Sequence, residues 1–349
     1  MASIQRDNGR VGVNRQERIA MKIGRFLNAI RSMDFLKFYT PAFIKEPYKY
    51  LIGKGALDDF ILEKKDNEIC LVLSDSVGDN VYGLAYLDAL HEFYPQKKIL
   101  VIGYERYRTL LESYPQIDRL ILIPDKTNQG ERLKGLITHP KLVERAFSQG
   151  MIITTPYWHK RLRDAQNLDC LYQFRNDILS LPGEPDITYH RITKGTVSSI
   201  HDFDKIKDKV VIINPYSKST PRTMQLYEFF CRALIERNYY VFTNVIGNQK
   251  SVRGSEPLRC SIYELYSIAY DIPLVVSVRS GILDFLVTSN VNMFAVYEIH
   301  NAVTEYHSKA YSLNSWKCGG KIEEVCIRKP SDIDSAQEKF ISFLNELRK

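Results

Sequence analysis

Two short segments, 68–74 (EICLVLS) and 209–214 (KVVIIN), constrain this chain more than any other feature. Both are brief, continuous apolar runs, the pattern of strands buried on both faces of a parallel sheet. Each is followed by a polar loop and then by helical periodicity. After the first, 75–79 is a loop. Residues 80–94 then read as a helix, with Val81, Leu84, Ala85, Leu87, Ala89 and Leu90 mostly on one side. A strand at 98–102, a helix at 105–113 and a strand at 119–123 follow. A fourth strand is expected at 151–154 and a helix at 168–179. Strands separated by helices must pair through right-handed crossovers, so the sheet they form is parallel.

The rhythm breaks at a polar stretch containing Pro182, Gly183 and Pro185, then restarts. Strands are expected at 209–214, 239–244, 273–276 and 292–296, and helices at 223–236, 261–269, 280–288 and 335–347. The reading is therefore an α/β chain with two doubly wound domains in tandem and a cleft between them. Its parts are an extension at 1–66, a first domain at 67–182, a linker at 183–208, a second domain at 209–330 and a closing helix at 331–349. In such sheets ligands sit beyond the C-terminal ends of the strands, so the strand-exit loops are where chemistry belongs.

Charge narrows the partners. The 349 residues carry 48 basic and 41 acidic side chains, a net charge of +7. Residues 1–57 hold 11 Lys and Arg against 4 Asp and Glu, which accounts for all of that excess. The remainder is neutral, so a nucleic-acid partner is not expected. The spacing of Ile19, Ile23, Phe26, Leu27 and Ile30 predicts a basic amphipathic helix over 15–43, stopped by Pro41 and Pro47. Such a helix either lies on an anionic membrane surface or packs on the domain behind it with a solvated basic face. Its apolar stretch is interrupted by Lys22 and Arg25, so a spanning segment is not expected. The six cysteines are scattered without a C-x-x-C pair, which fits a reducing cytoplasm and no structural zinc.

Four strand-exit loops can carry chemistry. The first, Asp75-Ser-Val-Gly-Asp79, places Gly78 for close backbone approach and Asp79 at a helix start. Asp79 is either a helix cap or, partly buried in the cleft, a general base. The second loop, Asn214-Pro-Tyr-Ser-Lys-Ser-Thr-Pro-Arg222, offers Ser217, Lys218 and Arg222 at a helix start, either a diphosphate cradle or a solvated turn. The third ends in Thr243 and Asn244, which face a nucleotide or cap a turn. In the fourth, Arg279, Ser280, Gly281 and Asp284 converge at one helix start. There the Ser-Gly amides suit a phosphate and Asp284 a sugar hydroxyl, or Asp284 merely complements the dipole.

The order of these loops resembles the bacterial lipopolysaccharide heptosyltransferase-like glycosyltransferases, in their surface-glycan and capsule branch. Four features over residues 68–300 carry the likeness. They are Gly78-Asp79 opening the first helix and Ala89-Leu-His-Glu-Phe-Tyr-Pro95 before the second strand. Asn214-Pro-Tyr-Ser217 stands in place of a His-Pro-Gly-Ser-like loop, and Ser280-Gly-Ile-Leu-Asp284 in place of Ser-Gly-x-x-His. The resemblance implies a GT-B fold of two Rossmann-like domains, the first binding the acceptor and the second the nucleotide-sugar donor. It makes Asp79 the base and assigns Lys218, Arg222, Ser280, Gly281 and Asp284 to the donor. Gly78 falls on the acceptor side, and Tyr157, Trp158 and His159 are expected either to contact an acceptor glycan or to close a core. The departures are Asp284 in place of the family's His and Arg279 where an Asp often stands. Both alter the charge around the donor phosphate.

The expected activity is transfer of a sugar from a nucleotide-sugar to a hydroxyl of a bacterial surface polysaccharide or lipid-linked glycan. It would be metal-independent and need no cofactor, in the cytoplasm, either free or peripheral on the inner face of the plasma membrane. No Asp-x-Asp motif or His cluster falls in the four loops, and no G-x-G-x-x-G follows a strand, which disfavours a dehydrogenase. The rivals are a nucleotide-sugar epimerase or hydrolase on a similar two-domain frame, and an inactive glycan-binding scaffold. None of the seven histidines falls in the four loops, which weighs against an epimerase.

Overall fold

The structure, a computed structural model, describes residues 42–154, 174–175, 179–181, 183, 187, 192–217, 223–300, 302–317 and 320–347. Within them lie ten strands and two parallel sheets, one per lobe. The first lobe runs α1 (Ala42–Glu63), β1 (Glu68–Val72), α2 (Val77–Leu84), α3 (Leu87–Phe93) and β2 (Lys98–Tyr104). It continues with α4 (Arg108–Leu111), β3 (Arg119–Ile123), α5 (Asn128–Ile137), α6 (Pro140–Ser148) and β4 (Met151–Ile153). Its strand order is β3-β2-β1-β4, with Cys70 beside Leu100 on one side and Met151 on the other.

The second lobe runs α7 (Phe203–Ile206), β5 (Val210–Asn214), α8 (Met224–Ile235), β6 (Tyr240–Asn244), β7 (Glu256–Leu258) and α9 (Ile262–Asp271). Then come β8 (Leu274–Val278), α10 (Gly281–Leu286), β9 (Asn292–Glu298), α11 (Ala302–Ala310), β10 (Ile322–Ile327) and α12 (Asp332–Glu346). The six strands lie in the order β10-β9-β8-β5-β6-β7. Every residue of β5 and β8 is buried, as their continuous apolar sequences require. The closing helix α12 belongs to this lobe's core. Phe340 is completely buried, its ring 4.3 Å from that of Phe230 and 4.9 Å from that of Phe294.

The sequence places a helix stop at Pro47, but α1 runs through it. A proline inside a helix costs roughly 3 kcal/mol. Burial of Ala56, Leu57 and Phe60 on the first lobe offsets that, since each large apolar side chain contributes about 1.5–3 kcal/mol. Helix α1 also meets α5 backbone to backbone. A β-carbon on Gly53 would lie 2.5 Å from the carbonyl carbon of Gly135, so only glycine fits there. The helix expected over 15–43 lies outside the described residues except for its last two positions. Among the described residues no helix is long and apolar enough to cross a membrane.

The stretch between lobes is held rather than slack where it is described. Glu264 of α9 accepts the backbone N–H groups of Ser198 and Ser199 at 2.6 and 2.7 Å. Ser267 accepts that of Gly195 at 2.8 Å. From the same helix, the Tyr263 hydroxyl donates across to the Arg106 carbonyl of the first lobe at 2.8 Å.

Candidate active site between the lobes

Both sheets reverse their winding direction at one place, β1 against β4 in the first lobe and β5 against β8 in the second. Loops leaving a sheet at such a point diverge and leave a crevice. Here the two crevices face each other and enclose a cavity of about 850 Å³. The loops after β1, β5 and β8 line it, together with the end of β9.

The loop after β1 is fixed by its own polar groups. The Ser74 N–H donates to the Thr154 hydroxyl at 3.1 Å, and the Tyr107 hydroxyl and Arg106 guanidinium donate to the Asp75 carbonyl at 2.8 and 2.9 Å. The Ser74 hydroxyl donates to Asp79 Oδ2 at 3.0 Å. Asp79 is half-buried in the first turn of α2 and lines the cavity. Burial pushes its carboxyl up to about 7, and the charges of Asp284 and Asp75 add to the rise. The Ser74 hydrogen bond and Arg279 oppose it. A carboxyl poised there can accept a proton near neutral pH.

Across the seam, α10 starts against α2. A β-carbon on Gly78 would lie 2.7 Å from the Cα of Gly281 and 2.8 Å from Asp284 Oδ2. Glycine at both positions lets the two helix starts touch. Arg279 and Asp284, read from the sequence as a fixed positive charge on the donor side and a donor-hydroxyl contact, are engaged with each other. Arg279 Nη1 donates to Asp284 Oδ2 at 2.9 Å and Nη2 to Oδ1 at 2.6 Å. The guanidinium also donates to the carbonyls of Tyr311 and Ser280, both at 2.8 Å, and to the Tyr82 hydroxyl of α2 at 3.4 Å. Their side chains are only 9% and 4% exposed. Burial works against the Arg279 charge, but Asp284 more than compensates and keeps it protonated well above its ordinary value. Ser280 and Gly281 line the cavity beside this pair, and the Ser280 hydroxyl has no partner among the described residues.

The loops after β5 and β6 divide differently from the sequence reading. Asn214 and Ser217 line the cavity. Asn244 donates to Asn214 at 3.2 Å and Asn214 to Ser277 at 3.0 Å, a buried relay that ties the ends of β6, β5 and β8 together. Thr243, wholly buried, accepts the Val252 N–H at 3.0 Å and bonds Ser255. Thr243 and Asn244 thus brace the strand ends rather than line the cavity. Lys218, Arg222, Tyr157, Trp158 and His159 lie outside the described residues.

The sequence reading misses Glu298 at the end of β9. This carboxylate is 2% exposed and lines the cavity. It accepts the Thr223 N–H at 2.9 Å and the Thr223 hydroxyl at 3.2 Å, so it occupies the start of α8. Burial raises its pKa, while Thr223 and the neighbouring His300 pull it down. A Glu closing an apolar strand, MFAVYE, is the signal that marks it. Tyr82, Tyr107, Tyr216, Tyr297 and Tyr311 complete an aromatic wall. Among the described residues no group of three or more His, Cys, Asp and Glu is arranged to hold a metal ion.

No protein-family model matches the sequence, and no curated protein matches it. Solved structures match its fold. A glycosyl transferase family 9 protein from Veillonella parvula DSM 2008 superposes with a TM-score of 0.53 at 13% identity, covering 81% of this chain and 97% of that one. ADP-heptose lps heptosyltransferase II of E. coli gives 0.52 at 14% identity, covering 80% and 98%. The chain therefore has the two-lobed α/β fold of these glycosyltransferases, the GT-B arrangement, across nearly their whole length.

Proposed function

We propose that the chain is a glycosyltransferase that moves a sugar from a nucleotide-sugar donor to a hydroxyl of a bacterial surface polysaccharide or lipid-linked glycan. One observation carries this reading: a carboxyl that burial pushes up to about 7 lines the same interlobe cavity as the Ser280-Gly281 helix start, which touches the start of the carboxyl's own helix. The fold shared with two glycosyltransferases supports it.

In this reading the acceptor binds against the first lobe, at Gly78 and the segment containing Tyr157, Trp158 and His159. Asp79 takes the proton of the attacking hydroxyl, which raises the oxygen's nucleophilicity as the bond to the donor sugar forms. The electron pair of the breaking bond passes to the nucleotide diphosphate. Ser280 and Gly281, with Lys218 and Arg222, are its expected ligands, stabilising the charge that develops on the leaving oxygen. Arg279 contributes through Asp284 rather than by direct contact with phosphate.

Thermal melts with UDP, GDP, ADP, CMP and their sugars test the donor site. A ligand at 100 times its dissociation constant stabilises the fold by about 2.7 kcal/mol. The expected result is a rise with one nucleotide family, retained in Asp79→Ala, with turnover lost in that variant. Absence of any shift overturns the donor assignment. Nucleotide binding without turnover in the wild type favours the scaffold reading.

A further inference from the structure

The Arg279–Asp284 pair sits where the two lobes touch helix start to helix start. Asp284 Oδ2 lies 2.8 Å from where a Gly78 side chain would begin, and Arg279 reaches the Tyr82 hydroxyl one turn further along α2. Tyr82 in turn packs its ring 4.8 Å from Trp316 and 5.7 Å from Tyr311, both second-lobe residues. The first turn of α2, which carries Asp79, is therefore seated on a second-lobe platform that Arg279 and Asp284 hold together. A buried pair of this kind adds little net stability over apolar residues of the same volume, because desolvation offsets most of the attraction. Its value is directional, in that two donors and two acceptors fix both ends of the fork.

We propose that Arg279 and Asp284 are positioning residues for Asp79, seating the start of α2 across the interlobe seam and fixing the electrostatic field at its carboxylate. This rests on the transferase reading, in which Asp79 is the base. The groups facing Asp79 are Ser74 and Asp75 from its own loop, Tyr107 from the turn after β2, and Arg279 and Asp284 from the second lobe. The second-lobe pair acts in opposed senses, with Asp284 favouring the protonated acid and Arg279 the carboxylate.

The test follows the Asp79 carboxyl by carbon NMR in protein labelled at aspartate, its signal identified by its loss in Asp79→Asn. Asp284→Asn should lower the titration midpoint by about one pH unit, since a neighbouring anion is removed and a cation is left unopposed. Adding Arg279→Met to that variant should bring the midpoint back up. Gly78→Ala changes no charge but wedges α2 away from α10, and should move the midpoint toward the ordinary carboxylate range as water enters the seam. Gly78→Ala also stands in should either substitution at the pair prevent folding. An unmoved midpoint in folded Asp284→Asn and Gly78→Ala overturns the proposal. The titration uses no substrate, so failure of the transferase reading shows separately, as absent nucleotide binding with the midpoints still shifting. In turnover assays, Asp284→Asn should shift the acid limb of kcat with the midpoint and leave KM for the donor within about twofold.

Discussion

Replacing Asp79 with Asn should make the protein more stable, and increasingly so as pH rises. The carboxyl titrates at about 7 in the folded chain against 3.8 for an ordinary aspartate, because burial disfavours its charge. Below pH 3.8 it is protonated in both folded and unfolded chains and makes no difference. Between 3.8 and 7 the unfolded chain releases the proton while the folded chain keeps it, so stability falls as pH rises through this window. Above 7 the loss is complete. Three pH units correspond to roughly 4 kcal/mol as a ceiling. Asp79 is only half-buried, at the edge of the interlobe cavity, so solvent screening reduces that to about 1–2 kcal/mol. Asparagine keeps the shape and an acceptor for Ser74 but never ionises. The assay is a series of thermal melts of both proteins from pH 4.5 to 8. The variant's advantage should grow with pH up to about 7 and then level, reaching a few degrees in Tm. An advantage that stays constant across the series, or grows on acidification, would show that Asp79 is not held as a buried acid.

Three further outcomes follow from packing and charge. Gly53→Ala places a methyl 2.5 Å from the α5 backbone, which cannot yield as a side chain would, and should cost about 1–3 kcal/mol in chemical denaturation. Phe340→Ala empties the centre of the Phe230–Phe294–Phe340 cluster and should cost about 3–5 kcal/mol, lowering Tm without altering nucleotide affinity. Glu298→Gln removes a negative charge from the cavity and weakens the cap on α8. It should lower stability by about 1 kcal/mol while tightening nucleotide binding several-fold, measured by calorimetry. Weaker binding in that variant would place the diphosphate away from α8.

The central strands were legible because a strand buried on both faces must be continuously apolar, and 68–74 and 209–214 are. Edge strands escape that rule. In β10, Glu323 and Glu324 face partly outward beside a single neighbour, and β7 is three residues with Pro257 in its middle. Neither offers an apolar run to read. Helix α1 was hidden by Pro47, Gly53 and Gly55, all of which argue locally for a break. Its stability comes from contact with α5, more than 70 residues later in the chain. Helices α5 and α6 were passed over for a related reason. Glycines at 130 and 135 and a proline at 140 look like loop punctuation. Yet Gly135 is where α1 approaches, and Pro140 stands in the first turn of α6, where a missing N–H costs nothing.

The site divides along the same line between local and distant causes. Gly78, Asp79, Ser280 and Gly281 could be found because a parallel sheet sends every strand-exit loop to one end, and loop order alone places them at the cleft. Partner choice is another matter. Arg279 finds its acid five residues away but its hydroxyl 197 residues away, on the other lobe. Nothing in the spacing says that the ion pair closes on itself before a ligand arrives. Its closure changes the electrostatic argument. A guanidinium read as free would match a diphosphate; paired with Asp284 it contributes almost no net charge. The other described ionisable side chains lining the cavity, tyrosines aside, are Asp75, Asp79 and Glu298, all acids. In the proposed transferase reading, a donor diphosphate would then be met by backbone amides at the helix starts and by Lys218 and Arg222. That reading assigns more of the donor's charge to Lys218 and Arg222 than to the Arg-Ser-Gly turn that first draws attention.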